Sequence, residues 1–206
     1  MSRIILANQS STPDDAGSGN GQLFVEGNKL YQQVGTDSAQ ELKTPTSGIS
    51  GFGTSGGTFT VPADVTKVTV RLWGGGGTGY ATDNSTNSSG SGGGHCLACV
   101  AVTPGDTYTV TVGAGGSGGS SAGGNTSVTI NSVEYKATGG AANAGTAGTG
   151  TNGQLNLTGQ TGFSTSAGNR TRGTFIALGA AGVGHGMFGT SHYGTNGGDG
   201  LAIFEW

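Results

Sequence analysis

The chain of 206 residues is poor in charge and in long apolar runs. Only 9% of its residues are charged and the formal net charge is −3, so the charge repulsion that keeps many chains disordered is missing. The 8 Lys and Arg residues are dispersed, which excludes the basic patch of a nucleic-acid-binding protein. The longest apolar run near the start, "IILA", is too short for a signal peptide or a membrane span. We therefore expect cytoplasmic synthesis and no membrane insertion.

Glycine, by contrast, is abundant, with 46 residues. A glycine held in regular structure costs about 0.5–1 kcal/mol relative to alanine. If half of these glycines are ordered, the penalty is on the order of 10–20 kcal/mol, as large as the net stability of a domain. Burial between subunits commonly supplies such stability, so the composition predicts an oligomer.

Alternating patterns recur along the chain, and no helical period lasts longer than one turn, which predicts an all-β protein. The clearest strands are "KVTVRLW", "YTVTV", a hairpin that turns at Asn131-Ser132, and the final "GLAIFEW". The side chains expected to face the core are Val68, Val70, Leu72, Tyr108, Val110, Val112, Val133 and Tyr135.

The chain divides into two parts. Residues 21–35, "GQLFVEGNKLYQQVG", carry a hairpin signal with its turn at "EGN", and a polar, turn-rich arm precedes them. We expect residues 1–43 to form a small module, residues 44–57 to be a linker rich in Gly, Ser, Thr and Pro, and residues 58–206 to form a glycine-rich β domain.

The glycine clusters, beginning with "RLWGGGGTGY" at 71–80, allow two interpretations. In the first, they are mobile loops. In the second, they are extended segments that pack closely, because neighbouring backbones can approach each other where there is no Cβ, as at the axis of the collagen helix. Both interpretations stay open for the stretch from Gly139 to Gly200, where the strand signal weakens. Collagen itself is excluded, because a strict three-residue repeat is absent.

The order of four motifs carries a resemblance. "FTVPADVTKVTVRLWGGGG", "VTPGDTYTVTVGAGGSGG", "ATGG" and the terminal "GGDGLAIFEW" together resemble the glycine-rich C-terminal domain of bacteriophage tail fibres and related virion proteins, over roughly residues 58–206. The stretch "TPDDAGSGNGQLFVEGNKLYQQVGTDSAQEL" is similar to a hairpin module of phage fibre proteins. The sequence departs from the family at "GGGHCLACVAV", where cysteine is not usual.

The resemblance implies a β-sandwich-like domain, a homotrimer and a place in the virion. It implies a short tail fibre or fibre-tip protein, without enzymatic activity or cofactor, that displays its glycine-rich domain to a host receptor, either protein or polysaccharide. The N-terminal module would dock on other virion proteins of the tail, baseplate or capsid. Its candidate attachment residues are Leu23, Phe24, Val25, Leu30 and Tyr31.

Three alternatives stay open beside the fibre. A trimeric capsid decoration or head-fibre protein needs the same two parts. A secreted glycine-rich matrix protein would need the signal peptide that the sequence does not show. The third alternative is a zinc-dependent binding module. An enzyme is not expected, because no acidic residue is spaced from a histidine as in a catalytic motif, and Asp199 in "GGDG" suits a backbone cap.

The best candidates for receptor binding lie in "SAGNRTRGTFIALGAAGVGHGMFGTSHYGTNGG". Aromatic rings and arginine among glycine-rich turns are typical of binding hot spots, and ring faces also suit sugars. The alternative is that these rings fill the trimer interior, and Trp73 and Trp206 are expected to pack in a core or interface. The candidate residues are Arg170, Arg172, His185, Phe188, His192 and Tyr193, with Tyr80 as a weaker one.

His95, Cys96, Cys99, His185 and His192 match the composition of a two-Cys, two-His zinc site. The two cysteines lie in a strand, however, where positions three apart point to opposite faces and lie too far apart for a disulfide. The two later histidines are also too widely spaced for the usual zinc motif. We expect no metal and two buried free thiols, although a ring of one histidine per chain on a symmetry axis remains an alternative.

Overall fold

The computed structural model describes residues 8–9, 21–26, 29–34, 38–42, 46–81, 86–118, 120–166 and 196–206. Within them the chain is all-β, as the sequence predicts, and no helix is present that could cross a membrane. The strands are β1 (Asn8–Gln9), β2 (Gly21–Glu26), β3 (Lys29–Val34), β4 (Gln40–Glu41), β5 (Ile49–Phe52), β6 (Gly57–Thr60), β7 (Lys67–Trp73), β8 (Tyr80–Ala81), β9 (Thr86–Ser88), β10 (His95–Ala101), β11 (Thr107–Thr111), β12 (Thr126–Ile130), β13 (Val133–Ala137), β14 (Gly150–Thr151), β15 (Leu155–Leu157), β16 (Ser164–Ser166) and β17 (Leu201–Glu205).

The chain forms two compact units, Met1–Thr46 and Ser47–Trp206. In the first unit, strands β1 to β4 form one sheet in chain order. The hairpin of β2 and β3 is built as the sequence predicts, with Glu26 opposite Lys29 across the turn. Strand β5 of the second unit lies within residues 44–57, the stretch expected to be a linker, and pairs with β17.

The second unit is built on two antiparallel sheets of five strands. Their strand orders are β15-β10-β7-β17-β5 and β14-β13-β12-β11-β6. Side chains from both sheets share one buried cluster, and the rings of Phe59 and Phe204, one from each sheet, stack with centroids 4.3 Å apart. This is the sandwich arrangement, in which each strand directs alternate residues into the core.

Most of the predicted core positions are confirmed. Val68, Val70 and Leu72 of β7 are buried, as are Val110 and Val112, and Tyr108 and Tyr135 pack partly against the core.

The prediction for Val133 is wrong, since its side chain is 40% exposed. It directly follows the turn at Asn131-Ser132, whose two residues have positive φ angles of 50° and 65°, as a two-residue hairpin turn requires. Val133 therefore lies where the sheet ends and little packs over it.

Candidate functional site

Within the part of the chain that the structure describes, the strands of the sandwich continue at one end into eight glycine-rich segments. Four segments lead away from the strands and four return, so that each outgoing segment is antiparallel to a returning one. We call these eight together the glycine bundle. Its outgoing segments are residues 74–79, 113–118, 138–142 and 158–163, and its returning segments are residues 89–94, 121–125, 145–149 and 196–200.

The hydrogen bonds of the first segment repeat with a period of three residues. A polyproline II helix has three residues per turn and no internal hydrogen bonds, so its backbone amides point in three directions. The segment 74–79 follows this rule, and its amides reach three different neighbouring segments over 2.8–3.0 Å. The amides of Gly74 and Gly77 donate to Gly94 and Ser91, those of Gly75 and Thr78 donate to Gly124 and Ser121, and that of Gly76 donates to Gly198.

Neighbouring segments lie so close that a side chain would not fit between them. A Cβ added to Gly123 would meet the carbonyl oxygen of Gly75 closer than the 3.0 Å that real Cβ atoms essentially never cross. The same holds for Gly93 against the carbonyl of Gly74 and for Gly197 against that of Gly76. In the described segments, the interpretation of the glycine clusters as close-packed backbone is therefore confirmed.

The bundle lies within one chain. Each of the hydrogen bonds above joins segments of the same polypeptide, so the glycines do not need further copies to bury their backbone. The glycine penalty consequently no longer argues for an oligomer, and the trimer stays a prediction that depends on other features.

Polar side chains inside the bundle bond to backbone groups. The buried Thr78 hydroxyl accepts from the amide of Ser121 at 2.9 Å, and the Ser91 hydroxyl accepts from the amide of Gly162 at 2.9 Å. Asp199 accepts from the amide of Gly115 at 2.8 Å. It therefore caps a backbone amide, but one of a different segment and not one within its own turn. These side chains supply acceptors for backbone amides at places where the regular pattern offers no backbone carbonyl.

A small third sheet lies beyond the bundle, on the side away from the sandwich. Its strand order is β16-β9-β8, and all its pairs are antiparallel. The hydroxyl groups of Ser88 and Ser164 lie 2.8 Å apart across it. Tyr80 begins β8 opposite Ser88 and is 45% exposed, so this weaker receptor candidate lies at the far end of the bundle. Sequence reasoning missed the two serines, whose signal was only the hydroxyl-rich pattern of "TNSSG" and "FSTS".

The other receptor candidates, Arg170, Arg172, His185, Phe188, His192 and Tyr193, lie outside the described residues. The chain on either side of them is described. It leaves from β16, beyond the bundle, and returns at residue 196 into the segment 196–200.

His95 packs beside Trp73 at the point where the sandwich meets the bundle. The two rings lie 4.8 Å apart between centroids. His95 is buried, and its Nδ1 has no hydrogen-bond partner among the described residues. Burial, and secondarily the charge of Arg71, lowers the pKa of the His95 imidazole. The neutral ring is therefore favoured, and Trp73 covers it.

The two cysteines behave differently. Cys96 is buried in the core and donates to the carbonyl of Thr151 at 3.3 Å, and burial raises the pKa of its thiol. Cys99 is exposed, so the expectation of two buried thiols is wrong for Cys99. Both are free, on opposite faces of β10. The described residues hold no cluster of three or more His, Cys, Asp or Glu side chains that could bind a metal, while His185 and His192 lie outside them.

The candidate attachment residues share the hairpin of the first unit. Phe24 and Tyr31 stand opposite each other with their rings stacked at 5.5 Å, and Phe24 is buried. Leu23, on the other face of β2, is 53% exposed, and Val25 pairs with Leu30 on that same face. The hairpin thus has one packed face and one face with apolar side chains that a partner could cover.

Residues 50–202 match the family described as a glycine-rich domain. The chain belongs to this glycine-rich domain family. The matched stretch includes almost the whole sandwich and the entire glycine bundle, so the packed glycine segments are part of what the family match covers. No curated protein matches the chain.

Proposed function

We propose that this glycine-rich domain protein is a non-enzymatic structural component of a bacteriophage particle, a short trimeric tail fibre or fibre-tip protein that binds a receptor on the host surface. It docks on the particle through its N-terminal unit, with the exposed face of the hairpin around Leu23 as the docking surface. The sequence resemblance supports the viral setting, and membership in the glycine-rich domain family supports the glycine-rich part of that resemblance.

The topology of the glycine bundle is the observation that carries the binding role. Four outgoing and four returning segments place the connections between them at the end away from the sandwich. Binding residues are commonly located on loops that a rigid scaffold positions. Here the scaffold consists of backbone segments that are hydrogen-bonded to each other. It is rigid because a shift of one segment breaks hydrogen bonds to several neighbours.

Alanine variants test the binding role. Replacing Phe188, His192 and Tyr193 together, or Tyr80 alone, lowers adsorption of particles to host cells and leaves the melting temperature of the protein unchanged. Thr109→Ala, on an exposed strand position of the sandwich, is the control and leaves adsorption as it was. If melting drops and adsorption per folded protein stays the same, these residues have a packing role and the proposed receptor site is wrong.

Deletion of residues 1–43 tests the docking role. The shortened chain keeps the sandwich and bundle of Ser47–Trp206 and is absent from particles assembled with it. Incorporation of the shortened chain would contradict docking through the N-terminal unit.

Immunogold labelling of intact particles decides where the protein is located. Label on the tail supports the fibre. Label on the capsid would overturn the fibre in favour of a decoration protein, for which the compact second unit would be a knob on the shell.

A further inference from the structure

The two sheets of the sandwich have outer faces of opposite character. On the β14-β13-β12-β11-β6 sheet, the outward positions carry hydroxyl groups and one ion pair, Glu134 with Lys136. On the β15-β10-β7-β17-β5 sheet, the outward positions are mainly apolar. We call the second the aliphatic face, and its apolar residues are Ile49, Trp73, Leu97, Leu155, Leu157, Leu201 and Ile203.

The size of the aliphatic face is that of an interaction surface. Its five strands hold 26 residues. With strands about 4.8 Å apart and about 3.4 Å per residue, the projected area is roughly 420 Å². This lies within the size range of the largest apolar patch on a typical monomer, which is often functional, and polar side chains such as Lys67 and Thr69 share the face.

The charges on this face make it compatible with its own copy. Arg71 and Glu205 lie near its middle and pair at 3.0 Å, with side chains 40% and 38% exposed. Because these two charges neutralise each other within one chain, they do not make two such faces repel. Lys67, the remaining charge on this face, lies at the end of β7 farthest from the glycine bundle. The most exposed apolar side chains lie at the two opposite edges, with Ile49 at 66% on β5 and Leu155 at 46% on β15.

An arrangement with apolar edges and a polar middle suits a closed ring better than a face-to-face pair. A two-fold pair would bury the Arg71–Glu205 ion pair at its centre, where desolvation is costly. In a ring, one edge of each face contacts the opposite edge of the face on the next copy. The middle of each face, which carries the ion pair, then points toward the ring axis, where packing is loosest. Residues that are partners across all five strands form a row, and Leu155 on β15 lies in the same row as Gly51 on β5. A Cβ at Gly51 would meet nothing within 4 Å, so there is space above Gly51 for a side chain of another copy.

We propose that the aliphatic face is the interface of the trimer, with its five strands running along a three-fold axis and Leu155 of each copy seated on Gly51 of the next. The three-fold rotation that relates the copies does not shift them along the axis. Residues of the same row therefore lie at the same level in all three copies and can contact each other. This inference rests on the proposed function for the number of copies, and on the sheet alone for the location of the interface.

A pair of double variants tests the location. Leu155→Glu with Leu157→Glu places two charges on one exposed strand of the aliphatic face, and Thr109→Glu with Thr111→Glu places two charges on one exposed strand of the hydroxyl-bearing sheet. In sedimentation of the full-length protein we expect wild type and the threonine variant to have three times the chain mass, and the leucine variant the mass of one chain. A monomeric wild type, a trimeric leucine variant or a monomeric threonine variant overturns the proposal.

Disulfide cross-linking tests the register and does not depend on a disruptive variant. Within one chain, β5 and β15 are four strand spacings apart, about 19 Å, which is beyond the ~7 Å Cα limit of a disulfide. In a Cys99→Ser background, Gly51→Cys together with Leu155→Cys is expected to give covalent species up to trimer on a non-reducing gel, and either substitution alone gives none. A ladder that stops at dimer, or no cross-link, overturns the ring.

Both tests use purified protein without particles or host cells. Their failure is therefore distinct from failure of the proposed function. A monomer that still supports adsorption would overturn the interface and the trimeric state, and would leave receptor binding in place.

Discussion

The carbonyl oxygen of Gly75 lies directly against the Cα of Gly123, while the amide of the same Gly75 donates to the carbonyl of Gly124 at 2.9 Å. One residue thus bonds to a neighbouring segment through its amide and blocks a side chain on that segment through its carbonyl. Glycine is required at position 123 because of this contact between two backbones, and not because of a special backbone angle.

Gly123→Ala is predicted to destabilise the second unit. The new Cβ would overlap backbone, which cannot move without breaking bonds to other segments, and overpacking costs about 1–3 kcal/mol or more. The measurement is the free energy of unfolding in urea. Gly53→Ala is the matched control, since a Cβ there meets nothing within 4 Å, and we expect a change within about 0.5 kcal/mol. Equal effects of the two variants would mean that close packing does not set the cost.

Asp199→Ala is predicted to lower the free energy of unfolding by about 0.5–1.5 kcal/mol, because the amide of Gly115 loses the carboxylate that it donates to at an exposed site. Asp199→Asn keeps an oxygen acceptor of the same shape and should recover much of the loss. If the asparagine variant is as unstable as the alanine variant, the negative charge matters more than the cap.

The two thiols are predicted to differ in reactivity. Cys99 is exposed in the single chain and lies on the aliphatic face, so it should react with a thiol reagent in the monomeric Leu155→Glu, Leu157→Glu variant and more slowly in the trimer. Buried Cys96, whose thiol pKa is raised, should react only on unfolding in both. Titration with a chromogenic disulfide reagent measures this directly. Cys99→Ser should remove the native reactivity, and a remaining fast thiol would show that Cys96 is accessible.

Stability is predicted to fall as the pH is lowered from about 7 to about 5. Burial lowers the pKa of His95 in the folded state below the ordinary value of 6.5. In this window the unfolded chain therefore binds a proton that the folded chain does not, and protonation favours unfolding. His95→Gln should show a flatter dependence of melting temperature on pH, with His185 and His192 present in both proteins. Parallel curves would contradict a lowered His95 pKa.

Local pattern was enough to predict the strands but not their partners. The alternation of "KVTVRLW" identified β7 and its buried face, because a strand between two sheet neighbours must direct alternate residues to the core. Strand β5, "ISGF", carries no such pattern and exists through pairing with β17 at the other end of the chain. Pairings of that range cannot be inferred from neighbouring residues.

The role of the glycines could be narrowed to two interpretations but not decided from composition. The deciding observation is which backbone carbonyl occupies the space that a Cβ on each glycine would need, as the carbonyl of Thr138 does at Gly74. Such contacts join segments that are far apart in sequence. The exposure of Leu155 and Leu157 was missed for a related reason. "LNL" is a short alternating run, and its position at a sheet edge became visible only with the strand order.

Hydrogen exchange at the amides of Gly75, Gly76 and Gly77 tests the ordered glycine bundle most directly. Each of these amides is bonded to a different segment of the same chain, so we predict exchange slowed to the level of the core strand β7. Exchange at the rate of an unstructured chain would contradict the account.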